Sequence, residues 1–444
     1  MCVSAIYDNV YVSSKLRKFL VDLESRYPIE DAQSKYQRLV NFSANVQVPY
    51  HQWFRYREGF AAELIQELIK MSGANSGEVI IDPFCGSGTT NVVAAMEGYP
   101  TLGLDVNPMS AFITNAKIDH YNDNELAETL SLCEQLLHYQ ADDSEDEYSD
   151  IRRYFSEKNF CDLKKIRKFI SRVPKGKTQN LLFVAFLSII EDCSDRKRDG
   201  NGLKTVPTKI TDVMACYKNK VQLIVEDIRS NQSEHSVNGF GVYNSAFNLL
   251  EEYQRNCGDI KAGAIIFSPP YANSFDYFES YKLELVFGGY AEGVKGLNAL
   301  RKKAVRSFIG AEKQAECDEF VDIIADEIEA AIPEKEKETG RKDSRTRKVP
   351  NMLRGYFADM HEIIRQCSMC LEKGKRTYIV VDQSAYLGKI VPTDLLLAYY
   401  AEQEGFDVIS IINCRKARTS TQQLNKYPYL KTALRESIVC LEKR

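Results

Sequence analysis

The chain has 444 residues, 44% of them hydrophobic, with a formal net charge of −4 and a pI of about 5.9. That length supports one large domain with insertions, or two to three domains, and the near-neutral balance excludes a protein whose overall charge drives it onto nucleic acid or membrane, so any basic surface must be local. No apolar run approaches the roughly 18–20 residues a bilayer span needs, and the start, MCVSAIYDNVYVSSKLRKF, lacks the basic-then-apolar order of a signal peptide, so a cytoplasmic protein is expected.

In chain order, residues 1–48 are mixed and charged and read as a helical, peripheral extension. FAAELIQELIKM, residues 60–71, places apolar groups at helical spacing with Glu and Lys on the other face. GEVIIDPF then reads as a short buried strand entering a turn, GSGTTNVVAAMEGY as a helix and PTLGLDVNP as a second strand; this is one βαβ unit and implies a parallel sheet. A long, mostly helical stretch follows at 122–235. It holds an acidic piece, ADDSEDEYSD (141–150), read as a solvated loop, and the basic pieces DLKKIRKFISRVPKGK and SDRKRDGNGLK. FGVYNSAFNLL predicts a third strand near 240 and KAGAIIF, 261–267, a fourth. Residues 288–350 read as polar and irregular. Order returns with a helix from about residue 352, the strand RTYIVV, a helix around PTDLLLAYYAEQEG, the strand FDVISII and finally ESIVCLEK.

The expected architecture is one α/β core carrying two insertions. A helical extension spans 1–48, and 49–121 is the first part of the core with its glycine turn. The helical insertion is 122–235, the core resumes over 236–287, the charged insertion is 288–350, and 351–444 closes the core. Of 12 cysteines only Cys367 and Cys370 stand close, with no second pair at zinc spacing, and the five histidines are not paired at metal spacing. Reduced structural cysteines and no metal are expected.

DPFCGSGTT, Asp82 to Thr90, places Gly86 and Gly88 between a strand and a helix, where glycine allows a tight turn and a close approach of backbone to ligand. The lysine of a P-loop is absent, which argues against a triphosphate. Asp82 at the mouth of the turn would repel a pyrophosphate but pair with an ammonium group. Asp105 ends the next strand, where a carboxylate can bind ribose hydroxyls. A ligand with a ribose and an amino-acid end but no phosphate fits: S-adenosylmethionine. Far downstream, GAIIFSPPYANSFDY begins as a buried strand and breaks on Ser268, Pro269, Pro270 and Tyr271. Two prolines cannot continue a central strand, so the strand ends in a rigid tip.

DPFCGSGTT together with SPPY resembles the exocyclic-amino DNA methyltransferases, which form N4-methylcytosine or N6-methyladenine. The resemblance runs from HQWFRYREGFAAELIQELI through GLDVNP and SPPYANSFDYFESYKLEL to RTYIVVDQSAYLGKIVP and RESIVCLEK. It implies a Rossmann-like sheet, mainly parallel with a late antiparallel strand, S-adenosylmethionine as cofactor and double-stranded DNA as partner. A cognate restriction endonuclease or defence-system subunit would accompany it. Asp82, Phe84, Cys85, Gly86, Gly88, Thr89 and Asp105 are then the cofactor candidates. HQWFRYREGF is where the family closes over the methionine end, which adds Phe60 and Glu63; Trp53, Phe54 and Tyr56 also read as packing. Near 243–248, where related enzymes often carry an acidic residue close to the adenine ring, this chain has Asn244 and Ser245.

The exocyclic amino group is a poor nucleophile because its lone pair is delocalised into the ring. Acceptors aimed at its two N–H bonds localise that pair. Ser268 Oγ and the Pro269 carbonyl are suitable acceptors, Pro269 and Pro270 stiffen them, and Tyr271 offers a stacking face for a flipped base. A C5-cytosine enzyme needs a cysteine nucleophile, usually in a Pro-Cys pair; none is present, and Cys85 reads as a small filler. Asn273 and Asp276 are candidates for the base pocket, while Tyr277 and Tyr281 read equally as core packing. Arg301, Lys302, Lys303, Arg306, Arg415 and Arg418 are candidates for DNA contact, as is the run holding Arg341, Lys342, Arg345, Arg347 and Lys348, which also reads as a solvated linker. Ser268 at the head of the tip inclines the target to cytosine N4, since the adenine-N6 enzymes more often carry Asp or Asn there. Adenine-N6 methylation, RNA guanine-N2 methylation and a non-catalytic DNA-binding subunit stand as alternatives.

Overall fold

The computed structural model describes residues 3–140, 148–199, 202–232, 237–309, 317–417 and 419–444. Eight strands make one sheet: β1 (Ile29–Asp31), β2 (Val79–Asp82), β3 (Thr101–Asp105), β4 (Gly239–Tyr243), β5 (Ala262–Phe267), β6 (Arg376–Asp382), β7 (Phe406–Lys416) and β8 (Arg435–Lys443). Their order across the sheet is β1-β7-β8-β6-β5-β2-β3-β4. All neighbours are parallel except β8, which runs against both β6 and β7. This is the Rossmann-like, mainly parallel sheet with a late antiparallel strand.

The central strands β2, β3, β5, β6 and β8 are buried on both faces, so they read as near-continuous apolar runs. Alternation still sorts their side chains. Ile80, Ala264, Ile266, Tyr378 and Val380 face one layer, where the helix Ala62–Ser72 packs Leu64, Ile65, Leu68 and Ile69. Val79, Ile81, Ile265, Phe267, Ile379 and Val381 face the other, covered by the helices Val349–Cys370 and Thr393–Gln403. Cys367 and Cys370 are buried on the first of these two helices.

Between β3 and β4 the chain builds a second apolar cluster. The helices Asp123–His138, Glu157–Arg172, Lys177–Cys193 and Val213–Asn231 form it with Pro108–Ile118 and Lys282–Phe287. A hairpin, Arg196–Asp199 paired with Gly202–Thr205, hangs from it. Of the acidic piece at 141–150, residues 141–147 lie outside the described residues.

Two expectations are corrected. The N-terminal extension is not peripheral. Its helix Ser14–Arg26 buries Leu16, Leu20 and Leu23 completely in the largest apolar cluster, and β1 adds a parallel edge strand to β7. Three apolar residues at helical spacing are outnumbered locally by charged ones, yet they fill one face. The 288–350 segment is not irregular either. It contains the helices Gly293–Arg301 and Glu319–Thr339, and the second buries Val321, Ile324, Ala325, Ile328 and Ile332. Among the described residues no helix is long and apolar enough to cross a membrane.

Candidate active site

Parallel pairing decides where the motifs meet. Ile81 on β2 lies opposite Ile265 on β5, and Phe267 opposite Ile379 on β6, while Asp82 lies opposite Gly103 on β3. Asp82, Asp105, Ser268 and Asp382 therefore emerge at one carboxyl edge. Strand order reverses between β2 and β5, and such a switch point leaves a crevice above the sheet. A cavity of about 380 Å³ opens there, and Phe60, Asp82, Phe84, Cys85, Gly86, Thr89, Asp105, Ser268, Pro269, Pro270, Tyr271, Asn273 and Asp276 all line it.

The glycine turn is shaped by sterics. Gly86 has φ +52°, and a Cβ there would sit 2.7 Å from Tyr56 Cε1. Gly88 has φ +84°, and its Cβ would lie 2.7 Å from Thr114 Oγ1. Gly88 does not line the cavity; it lets the helix Thr89–Met96 start against Pro108–Ile118. Burial and the nearby carboxylates push the Cys85 thiol far up, so it is a packed filler and not a nucleophile.

Two carboxylates flank the turn. Asp82 accepts the Phe84 N–H at 2.9 Å, and burial pushes its pKa up to about 7. Asp105 accepts the Gly86 N–H at 2.9 Å and the Asn107 N–H at 2.7 Å, and burial pushes it up to about 6. Neither forms an ion pair among the described residues. Ser87 Oγ, in the same turn, is buried without a hydrogen-bond partner among the described residues. Behind the turn, burial lowers the Lys117 amine to about 7 while it donates to the Ser87 carbonyl at 2.8 Å. The buried Asp82 and the half-buried Asp105, without an ion pair among the described residues, and the Ser87 hydroxyl suit a ligand that brings positive charge and hydroxyl groups.

The tip is tied into the far side of the sheet. Ser268 Oγ donates to Tyr271 Oη across 3.4 Å, and Tyr271 Oη donates to Glu436 Oε1 at 3.0 Å. Because β8 is antiparallel, its first residues reach the catalytic edge, with Glu436 opposite both Asp382 and Arg415. Arg415 pairs with the buried Glu436. Burial, reinforced by the neighbouring Glu436, holds the Asp382 carboxyl well above the usual range, and its Oδ1 has no partner among the described residues.

Sequence reasoning missed part of this lining. Glu58, not Glu63, faces the cavity; Glu63 is exposed on the first turn of its helix. Glu58 accepts the Tyr281 O–H at 2.5 Å, and burial raises its pKa. Tyr281 stacks on Tyr56 with centroids 5.2 Å apart and lies 4.0 Å beneath the Arg198 guanidinium, which Glu191 and Glu284 hold. Tyr277, Ser245 and Asp382 also line the cavity. Glu58 lay within the motif HQWFRYREGF, so a carboxylate beside clustered aromatics was its available signal.

The candidate DNA cations need correction. Arg301 Nε donates to Asp276 Oδ2 at 2.9 Å, with Glu279 nearby, and the side chain is 17% exposed. Arg306 Nε donates to Asp359 at 2.9 Å, and Arg415 is held by Glu436. Carboxylates neutralise these three, which removes them as open phosphate contacts. Lys302 is exposed, whereas the Lys303 amine donates to Tyr243 Oη at 3.0 Å. Arg418 lies outside the described residues.

A family model described as D12 class N6 adenine-specific DNA methyltransferase matches residues 61–339, and an N6/N4 DNA methylase model matches residues 3–115. Type II methyltransferase M.BsoBI of Geobacillus stearothermophilus is 27% identical over 97% of this chain and 92% of its own length. Type II methyltransferase M.AvaI of Nostoc sp. is 25% identical over 93% of this chain and 91% of its own. Type II methyltransferase M.MvaI of Kocuria varians is 22% identical over 54% of this chain and 56% of its own.

Proposed function

Since the chain belongs to the family described as D12 class N6 adenine-specific DNA methyltransferase, it is a DNA methyltransferase acting on an exocyclic amino group, and we propose that S-adenosylmethionine is its methyl donor and cytosine N4 its target. The observation that carries the base assignment is Ser268 at the head of the proline tip, lining the cavity beside the glycine turn. The second reading, adenine N6, is favoured by the description of the family model that matches residues 61–339.

In this proposal the donor supplies an electrophilic methyl on a sulfonium. Asp82 pairs with its ammonium and Asp105 accepts from its ribose hydroxyls, which answers both carboxylates. Tyr56 and Phe60 help close the cavity against water. Ser268 Oγ and the Pro269 carbonyl accept the two N–H bonds of the target amino group and localise its lone pair. The target base is flipped out of the duplex, and Tyr271, its hydroxyl tethered to Glu436, supplies the stacking face. When bound, the donor would supply the methyl as an electrophile and keep the S–C electron pair, and the proton shed by the attacking amino nitrogen passes through the Ser268 and Tyr271 hydroxyls, hydrogen-bonded in series, to the Glu436 carboxylate. Positioning carries most of the barrier reduction. The Type II names of the relatives support a cognate restriction endonuclease as partner.

Nucleoside mass spectrometry of DNA from a methylation-deficient host expressing the chain tests this reading. N4-methylcytosine is expected. N6-methyladenine would keep the chemistry and transfer the assignment to the second reading. Neither mark, with calorimetry showing cofactor binding, would overturn the DNA substrate.

A further inference from the structure

A second cleft, about 650 Å³, adjoins the catalytic cavity and shares two residues with it, Asn273 and Asp382. The partition between the two is built, not incidental. Ser274, the residue after Asn273, is a non-glycine held at φ +65°. Its Oγ lies 3.0 Å from Tyr386 Oη, which donates to the Ala272 carbonyl at 2.9 Å. A strained residue held by side-chain bonds at a site boundary is a positioning device. It leaves Asn273 exposed where cavity and cleft meet.

The cleft is polar and its charges are sorted. Lys335 is held by Asp343, and Lys426 by Glu338. Arg345 also lines it, is exposed, and its guanidinium makes no ion pair or hydrogen bond among the described residues. Burial raises the carboxyl of Asp382, which lines both cavities, well above the usual range. A guanidinium without an ion pair among the described residues, in a cleft that shares Asn273 and Asp382 with the catalytic cavity, suits a flipped nucleotide, whose base enters the cavity while its backbone stays outside.

We propose that this cleft seats the sugar–phosphate backbone flanking the target base, with Arg345 as its phosphate contact. The inference rests on the DNA reading above, and it assigns strand contact to one of the basic segments, 341–348, in place of Arg301, Arg306 and Arg415. Arg345 positions the strand; it touches no reacting atom.

The test is fluorescence anisotropy with the full-length chain, cofactor present, and a labelled mixed-sequence duplex carrying one unpaired cytosine, across a salt series. Arg345→Ala is expected to weaken binding about tenfold and to reduce the log–log salt slope by about 1, with cofactor affinity unchanged. Arg345→Lys keeps the charge and is expected to restore the slope, which a merely structural role would not do. Unchanged DNA affinity and slope in Arg345→Ala would overturn the cleft assignment while leaving the DNA reading intact. Wild-type protein that binds cofactor but neither binds nor marks DNA would overturn the DNA reading and the cleft with it.

Discussion

The glycine turn and the proline tip end neighbouring strands, yet they are held in shape by opposite means. The turn needs the absence of side chains. Gly86 and Gly88 take positive φ and let Tyr56 and Thr114 approach to distances no Cβ permits. Its carboxylates accept backbone N–H bonds but have no ion pair among the described residues, which suits a cationic ligand. The tip needs the presence of rings and bonds. Two prolines restrict φ, and Tyr271 ties the strand end to Glu436 and, through it, to Arg415. The lesson is that one side of the cavity is built to accept charge and the other to hold fixed acceptors, and the two should fail differently.

The largest expected effect breaks the tip alone. Ser268→Ala should lower turnover by about 10²–10³, the scale of one lost preorganised transition-state hydrogen bond, while calorimetry shows unchanged cofactor affinity. Full turnover would sink the catalytic assignment. Asp105→Ala should do the reverse, weakening cofactor binding by about 10–100-fold with turnover at saturation nearly retained. If instead turnover collapses at saturating cofactor, the division of labour between turn and tip is wrong.

A third variant separates shape from charge. Gly86→Ala places a methyl against Tyr56 at a positive φ, so it should cost about 1–3 kcal/mol of stability, read as a lower melting temperature, and weaken cofactor binding with it. An unaltered melting curve would mean that the turn yields easily.

The smallest effect is in pH. Burial holds Asp82 at about 7 and Asp105 at about 6, both above the ordinary carboxylate value. Ionising them penalises the unliganded fold. Their contribution is complete below about pH 4 and is lost as pH rises through 6 to 7. A bound ammonium offsets that loss, so the rise in melting temperature given by saturating cofactor should be greater at about pH 8 than at about pH 5.5. Lys117, lowered to about 7, runs the other way above that pH, and it does so with or without ligand. Equal shifts at both pH values would count against Asp82 as the ammonium partner.

Much of the core was legible because both motifs are local. An apolar run broken by glycines or prolines marks a buried strand end, and a residue two or three positions from such a break has little freedom in where it points. Asp82, Asp105 and Ser268 reach one cavity for that reason. Glu436 carried no such signal, because it sits near the start of an ordinary strand and only the antiparallel register of β8 sets it beside Tyr271. The candidate cations failed for a related reason. Arg301, Arg306 and Arg415 look like DNA contacts in a linear string, but their carboxylate partners come from other elements. β1 was invisible because a three-residue strand with every side chain exposed has no apolar pattern to read.

The sequence by itself determined the strand-and-turn grammar of the α/β core, the chemistry of the two motifs and hence the kind of ligand that suits them, because those depend on φ restrictions and on functional groups a few bonds apart. Only the tertiary structure decided which charges are spent and which remain open. An ion pair's partner is chosen by strand register and helix packing across the whole chain, and that is why Arg415 is occupied inside the site while Arg345 faces the adjoining cleft without an ion pair among the described residues.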